Sequence, residues 1–172
     1  MMRWMGVILV VTGCAGVGFY TGNQLVQRLE QLMELVKISE FLKGEISFSR
    51  STLPEALGRI GTKSKKPFQD FLENLSVHMK KYSGEAFADV LEQEIKLYLS
   101  DSALYQNDLQ EFYLTYKNLG YLDKEMQVHL LERYIKEREK EIDRMYQKLP
   151  AQKKLFHSLG VLGGLFLAII LI

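Results

Sequence analysis

The last eighteen residues, Leu155 to Ile172, read LFHSLGVLGGLFLAIILI and hold no charged side chain. As a helix rising about 1.5 Å per residue they would reach ~27 Å, close to the ~30 Å hydrocarbon thickness of a bilayer. The sequence therefore predicts a transmembrane helix over 155–172. Lys148, Lys153 and Lys154 stand directly before it, with Arg138, Lys140 and Arg144 one or two turns further back. The positive-inside bias then places the preceding chain on the cytoplasmic side.

A second uncharged run, Trp4 to Tyr20, is shorter and carries Gly6, Gly13, Gly16 and Gly18. It predicts a first transmembrane helix, or uncleaved signal anchor, over 4–20, since small residues let another helix approach closely and a short span is met by local thinning of the bilayer. The run has one arginine, Arg3, ahead of it and no A-x-A-like cleavage site. Val11-Thr12-Gly13-Cys14 resembles a lipobox with Cys14 as the lipidated residue, which raises a rival reading as a lipoprotein. That reading would put the middle of the chain outside the cytoplasm, with the lysines before 155 on the wrong side.

Between the two runs, residues 21–154 are one domain's worth of chain. The formal charge of +1 offers neither a basic excess for nucleic acid nor an acidic solvating block. One cysteine allows no intramolecular disulfide and no cysteine-based metal site. Apolar residues recur at helical spacing throughout, and no alternation is long enough for a strand. The expected fold class is all-α: a cytoplasmic bundle of about six helices between an N-terminal and a C-terminal transmembrane helix.

The first span continues outward along Leu25, Leu29, Leu32, Val36, Leu42 and Ile46, and Ser47 to Ser51 close it. Thr52-Leu53-Pro54-Glu55 is a capping box with proline in the first turn, opening a short helix limited by Gly58 and Gly61. Pro67 starts a helix bearing Phe68, Phe71, Leu72, Leu75 and Met79, which Ser83-Gly84 ends. Phe87, Val90, Leu91 and Ile95 mark the next. Asn107-Asp108 opens another with Leu109, Phe112, Tyr116 and Leu119, for which Gly120 suits the C-terminal cap. Asp123 caps the last, whose stripe is Val128, Leu131, Ile135, Arg138, Ile142, Met145 and Leu149.

The first and last of these helices both enter the membrane, so they are expected to run antiparallel as a stalk. Counting from the membrane sets Arg138 opposite the turn of Glu34 and Glu40. A charge in such a seam is costly unless paired, so Arg138 is expected to pair with Glu34 or Glu40; the alternative is that it snorkels to solvent.

No set of polar residues converges for catalysis. His78, His129 and His157 lack the i, i+4 partner of a helical zinc site, and are expected on helix surfaces or, for His157, at headgroup level. There is no G-x-x-x-x-G-K-[ST], no G-x-S-x-G and no CxxC. Gly160, Gly163 and Gly164 lie inside the second span and read as a close-packing face. The run Glu132 to Arg144 alternates in sign as a solvated helix face does. No enzymatic activity, cofactor, metal or small-molecule substrate is expected.

Three groups of residues together resemble the stage III sporulation protein AB family. They are Ser51-Thr52-Leu53-Pro54-Glu55-Ala56-Leu57 preceded by Leu42 and Glu45-Ile46, Leu119-Gly120 with Asp123 and Gln127, and Ser158 to Leu165 with Gly160, Gly163 and Gly164. The resemblance implies a helical domain similar to the cytoplasmic part of the F-type platform protein of type II secretion and type IV pilus machines. It also implies membership of a channel complex between mother cell and forespore, with the domain facing the mother-cell cytoplasm from the outer forespore membrane. The partners it implies are a secretion-type ATPase, other membrane subunits and the protein itself. The expected role is a platform or adaptor coupling that ATPase to membrane components, with a partner held at the distal end near Pro54, Pro67 or Gly120. The alternatives are the lipoprotein and a structural subunit that oligomerises through the glycine faces of its spans.

Overall fold

The computed structural model describes the backbone of residues 2–49, 51–81 and 86–171, and of these the side chains of all but 2–8, 10, 170 and 171. The described residues form six helices and no strand: α1 (Met2–Phe48), α2 (Leu53–Gly61), α3 (Phe68–Lys80), α4 (Phe87–Tyr98), α5 (Gln106–Tyr116) and α6 (Lys124–Leu171). The turn expected at Ser83-Gly84 lies outside the described residues. Four short helices are thus set between two long ones that absorb both terminal runs. Among the described residues no helix is long and apolar enough to cross a membrane. The spans expected over 4–20 and 155–172 both extend into positions whose side chains lie outside the description.

The helix boundaries follow local chemistry. The backbone N–H of Thr52 donates to the Glu55 carboxylate at 2.9 Å, closing the first turn of α2 around Pro54. Asp123 accepts from the Met126 N–H at 2.9 Å and so caps α6. Asp108 reaches back to the Tyr105 N–H at 2.8 Å, so α5 begins ahead of Asn107. α5 also ends earlier than its apolar stripe suggests, at Tyr116. Gly120 is therefore not its cap; it belongs to a turn in which the Leu119 N–H meets the Tyr116 carbonyl at 3.0 Å. The Gln127 amide clamps that turn, donating to the carbonyls of Leu119 and Leu122 at 2.7 and 2.8 Å. Gly58 does not limit α2. It lies inside the helix, and a Cβ there would meet the Ser76 hydroxyl at 2.8 Å, so the glycine lets α3 come close.

The chain divides into two compact units, a helix pair (Met1–Leu29 with Asp143–Ile172) and a bundle (Glu30–Ile142). Each draws on both long helices. The bundle core takes Leu32, Leu35, Ile38 and Leu42 from α1, Leu57 from α2, Phe68, Phe71, Leu72 and Leu75 from α3, and Leu91 from α4. α5 and α6 add an aromatic cluster. Phe112 and Tyr116 lie 4.1 Å apart between centroids, and Tyr134 meets both edge-on at 6.4 and 6.2 Å. Phe71 closes it against Phe112 at 6.0 Å. Such edge-on contacts add to the area each ring buries.

Candidate functional site

The helix pair is built around a seam of small residues. Among the described residues its buried positions are Gly18, Gly22 and, at its edge, Leu29 of α1, with Gly164 and Ala168 of α6. A Cβ at Gly18 would stand 2.5 Å from the carbonyl oxygen of Phe156, and one at Gly160 would stand 2.8 Å from that of Cys14. At Gly164 it would lie 3.1 Å from the Cα of Val11. The contacts step backward along α6 as they step forward along α1, so the two segments run antiparallel with their backbones in contact. Gly22 gives a notch for the His157 ring, which also stacks on Phe19 at 4.1 Å. His157 thus faces the other helix rather than an open headgroup layer. Of the three glycines expected to form the packing face on α6, Gly160 and Gly164 are in the seam, while Gly163, like Gly13 and Gly16 on α1, has nothing within 4 Å. Cys14 packs in the same seam, 3.2 Å from the Cβ position of Gly164.

Outside the seam, large apolar side chains are exposed. Leu9, Val17, Phe19, Leu155, Leu162 and Phe166 are each more than half accessible. The first unit is thus small inside and large outside, the inverse of an ordinary core.

The bundle contains a buried charge. Arg138, 8% exposed, bonds Glu111 of α5 through one guanidinium nitrogen and Glu141, one turn on, through another at 2.6 Å. The expected pairing with Glu34 or Glu40 is corrected. Glu34 instead takes the Lys37 ammonium at 3.5 Å and the Lys65 N–H at 3.3 Å, and Glu40 lines a shallow depression with Phe41, Gly44, Phe48 and Arg59. The reason is the third helix. Tyr134, one turn before Arg138 on the same face of α6, packs against Phe112 and Tyr116, so that face looks toward α5.

Beside this charge stand two buried phenols in unlike settings. Ser39 donates to the Leu35 carbonyl at 2.7 Å, which leaves its oxygen to accept the Tyr116 O–H at 2.8 Å. Burial pushes the Tyr116 phenol well above its ordinary pKa, against the pull of that bond. Burial does the same to Tyr134, whose hydroxyl has no hydrogen-bond partner among the described residues. His78 of α3 bonds the buried Glu94 of α4 at 2.8 Å, so this histidine is not simply a surface residue.

At one end of the bundle, Glu45, Ile46, Ser51, Leu53, Lys124 and Gln127 surround a small pocket. Lys124 donates to the Ser47 carbonyl at 2.6 Å there. Arg59 bonds Glu45 at 2.5 Å and Ser51 at 2.7 Å, holding the Glu45 carboxyl below its ordinary range. The start of α2 near Pro54 and the start of α6 therefore share this end. Pro67 does not, because Lys65 beside it bonds Glu34, well back along α1. A Cβ at Gly120 would lie 3.6 Å from the Phe87 side chain. Among the described residues no group of three His, Cys, Asp or Glu is placed to hold a metal ion.

Sequence reasoning missed Gly22, Ser39, Glu111 and Tyr134. Gly22 was legible as spacing, since Cys14, Gly18 and Gly22 recur every four residues and match Gly160, Gly164 and Ala168. Ser39 fills the six-residue gap between Val36 and Leu42 in the α1 stripe.

The family model for stage III sporulation protein AB matches residues 3–172, and the chain belongs to that family of sporulation proteins. No curated protein and no solved structure matches it.

Proposed function

We propose, from that family membership and the contrast between the two units, that the chain is a non-enzymatic membrane platform. Its helix pair sits in a bilayer and its bundle stands in the cytoplasm, on the mother-cell side of the outer forespore membrane. The bundle couples a secretion-type ATPase to the other membrane subunits of a channel complex.

One observation carries the membrane part: small residues line the inside of the helix pair and large apolar ones its outside. In water that arrangement would expose a broad apolar surface, whereas in lipid it matches the solvent on the outside and close backbone packing within. The sequence from 155 to 172, without a charge, supports the same reading. The ATPase contact is assigned to the end formed by the starts of α2 and α6, which is also where two groups of family-like residues meet.

Topology is tested by placing a single thiol at Ser64→Cys in a Cys14→Ser background and labelling with an impermeant maleimide. Labelling only after permeabilisation is expected; labelling of intact cells contradicts a cytoplasmic bundle. The ATPase contact is tested by photo-crosslinks from Leu53 and Lys124, and capture at neither position removes it.

A structural subunit that assembles with copies of itself is a second reading. It draws on Gly13, Gly16 and Gly163, which the intramolecular seam leaves open.

A further inference from the structure

The two units carry opposite charge. In the helix pair Arg3, Arg28, Arg144, Lys148, Lys153 and Lys154 stand against Asp143 alone, a formal +5, so the rest of a +1 chain carries −4. Four of these cations lie on α6 just before its apolar part. Arg144, Lys148 and Lys154 are exposed and Lys153 is half-buried, and none of the four is paired with a carboxylate among the described residues. That contrasts with the bundle, where Lys37, Lys43, Arg59, Lys66 and Lys96 each have an acidic partner.

Position along the helix matters as much as sign. From Arg144 and Lys148 the same face of α6 continues, seven residues on and then in steps of four and three, through Leu155, Leu159, Leu162, Phe166 and Ile169, which are 55 to 74% exposed. One face therefore changes from basic to wholly apolar within two turns. At about 1.5 Å per residue, Lys153 and Lys154 stand within ~3 Å of Leu155 along the axis and Lys148 ~10 Å above it. A headgroup layer is roughly 5–8 Å deep, and charges act across about a further Debye length of 8 Å, so these lysines lie at or just above lipid phosphates. The stem of Lys153 lies along α1, its Cγ 3.4 Å from the Cβ position of Gly22, which leaves the ammonium to reach outward. Tyr20 is exposed within a turn of that level, its hydroxyl taking a 2.7 Å bond from Gln24, as an interfacial tyrosine does.

We propose that Lys148, Lys153 and Lys154, with Arg144 behind them, form a collar that binds anionic phospholipid headgroups of the bilayer in which the helix pair sits. The collar rests on the membrane reading above, and adds to it a lipid preference. Charge complementarity and the continuity of one helix face from cation to hydrocarbon select this occupant over a soluble acidic partner, which would leave the adjoining apolar face without a role.

The test uses the full chain reconstituted in phosphatidylcholine vesicles holding a minority of phosphatidylglycerol. The association of spin-labelled phosphatidylglycerol is compared with that of spin-labelled phosphatidylcholine. Each lysine near a surface strengthens binding to anionic lipid by roughly fivefold, so the three together should give a selectivity of at least about tenfold at low salt, falling as salt rises. The K148Q/K153Q/K154Q variant keeps the Cγ of residue 153 that packs beside Gly22 and should approach equal affinity. Selectivity below about twofold in the unaltered chain, or unchanged selectivity in the variant, overturns the collar. Carbonate washing of the same vesicles separates the two ideas. A chain that washes off removes the membrane reading and the collar together, whereas one that stays without lipid selectivity removes the collar alone.

Discussion

In the bundle the fully buried residues include large rings, Tyr116, Phe68, Phe71 and Phe112, whereas in the helix pair, Leu29 at its edge apart, the buried residues described are the small Gly18, Gly22, Gly164 and Ala168. The same two helices, α1 and α6, take part in both. Over 30–48 and 124–142 they meet other helices through side chains, and around Val11, Cys14 and Gly18 against Phe156, Gly160 and Gly164 they meet each other through backbone. The difference teaches what each stretch is solvated by. Burying rings is favourable where the alternative is water; where the surroundings are as apolar as the rings, close contact between backbones is what remains to be gained.

This contrast predicts that the two units fail under opposite substitutions. Phe112→Ala should destabilise the bundle by about 3–5 kcal/mol in chemical denaturation, by the cavity it leaves among Phe71, Tyr116 and Tyr134. The same change at Phe166, which is 66% exposed, should be close to silent. Equal losses at both sites would erase the distinction. In the helix pair it is enlargement that should matter. Gly160→Leu drives a side chain into the Cys14 carbonyl and should cost on the order of 3 kcal/mol, whereas Gly163→Leu, with nothing within 4 Å, should leave pairing unchanged. Disulfide trapping between Val11→Cys and Gly164→Cys in a Cys14→Ser chain reports that pairing directly.

The buried charge gives a smaller effect. Arg138→Ala leaves the partly exposed Glu111 and Glu141 without their shared cation and should cost about 2 kcal/mol, while replacement by Met should cost less. A double-mutant cycle should show coupling of Arg138 to Glu111 and almost none to Glu34 or Glu40. Smallest are the two phenols. Tyr116→Phe gives up the bond to Ser39 and should cost about 1 kcal/mol, whereas Tyr134→Phe removes a hydroxyl that has no partner among the described residues and should be neutral or stabilising. Both phenols have folded pKa values raised above the ordinary value of about 10. Their contribution is therefore fully present below about pH 10 and is lost as pH rises further, because the unfolded chain ionises first. Bundle stability should fall at alkaline pH, and the double Phe variant should flatten that fall.

Helix number and most boundaries were legible because each helix carries its own signal: the Thr52 and Glu55 pair, the Asp123 cap and the Leu29, Leu32, Val36 stripe are all local. The Arg138 partner was not legible. Besides Glu141 on its own helix, Arg138 pairs with Glu111 on α5, which a two-helix count along α1 and α6 leaves out, and no spacing within one helix announces which third helix will cover it. The Gly120 error has a similar cause. The stripe runs on to Leu119, which is buried, yet Leu119 is buried from a turn held by Gln127, so apolar periodicity outlasted the helix. In the seam, the glycines were visible but not their division into Gly160 and Gly164 within and Gly163 without, which depends on the facing surface of α1.

The most direct measurement of the central claim is the solvent at the outer face of α6. Nitroxides placed singly at Leu159, Leu162, Phe166 and Ile169 of the full chain in bilayers report collisions with oxygen, which concentrates in hydrocarbon, and with a nickel chelate, which stays in water. High oxygen and low chelate accessibility at all four sites is the predicted result. Chelate reaching them freely would contradict a helix pair solvated by lipid.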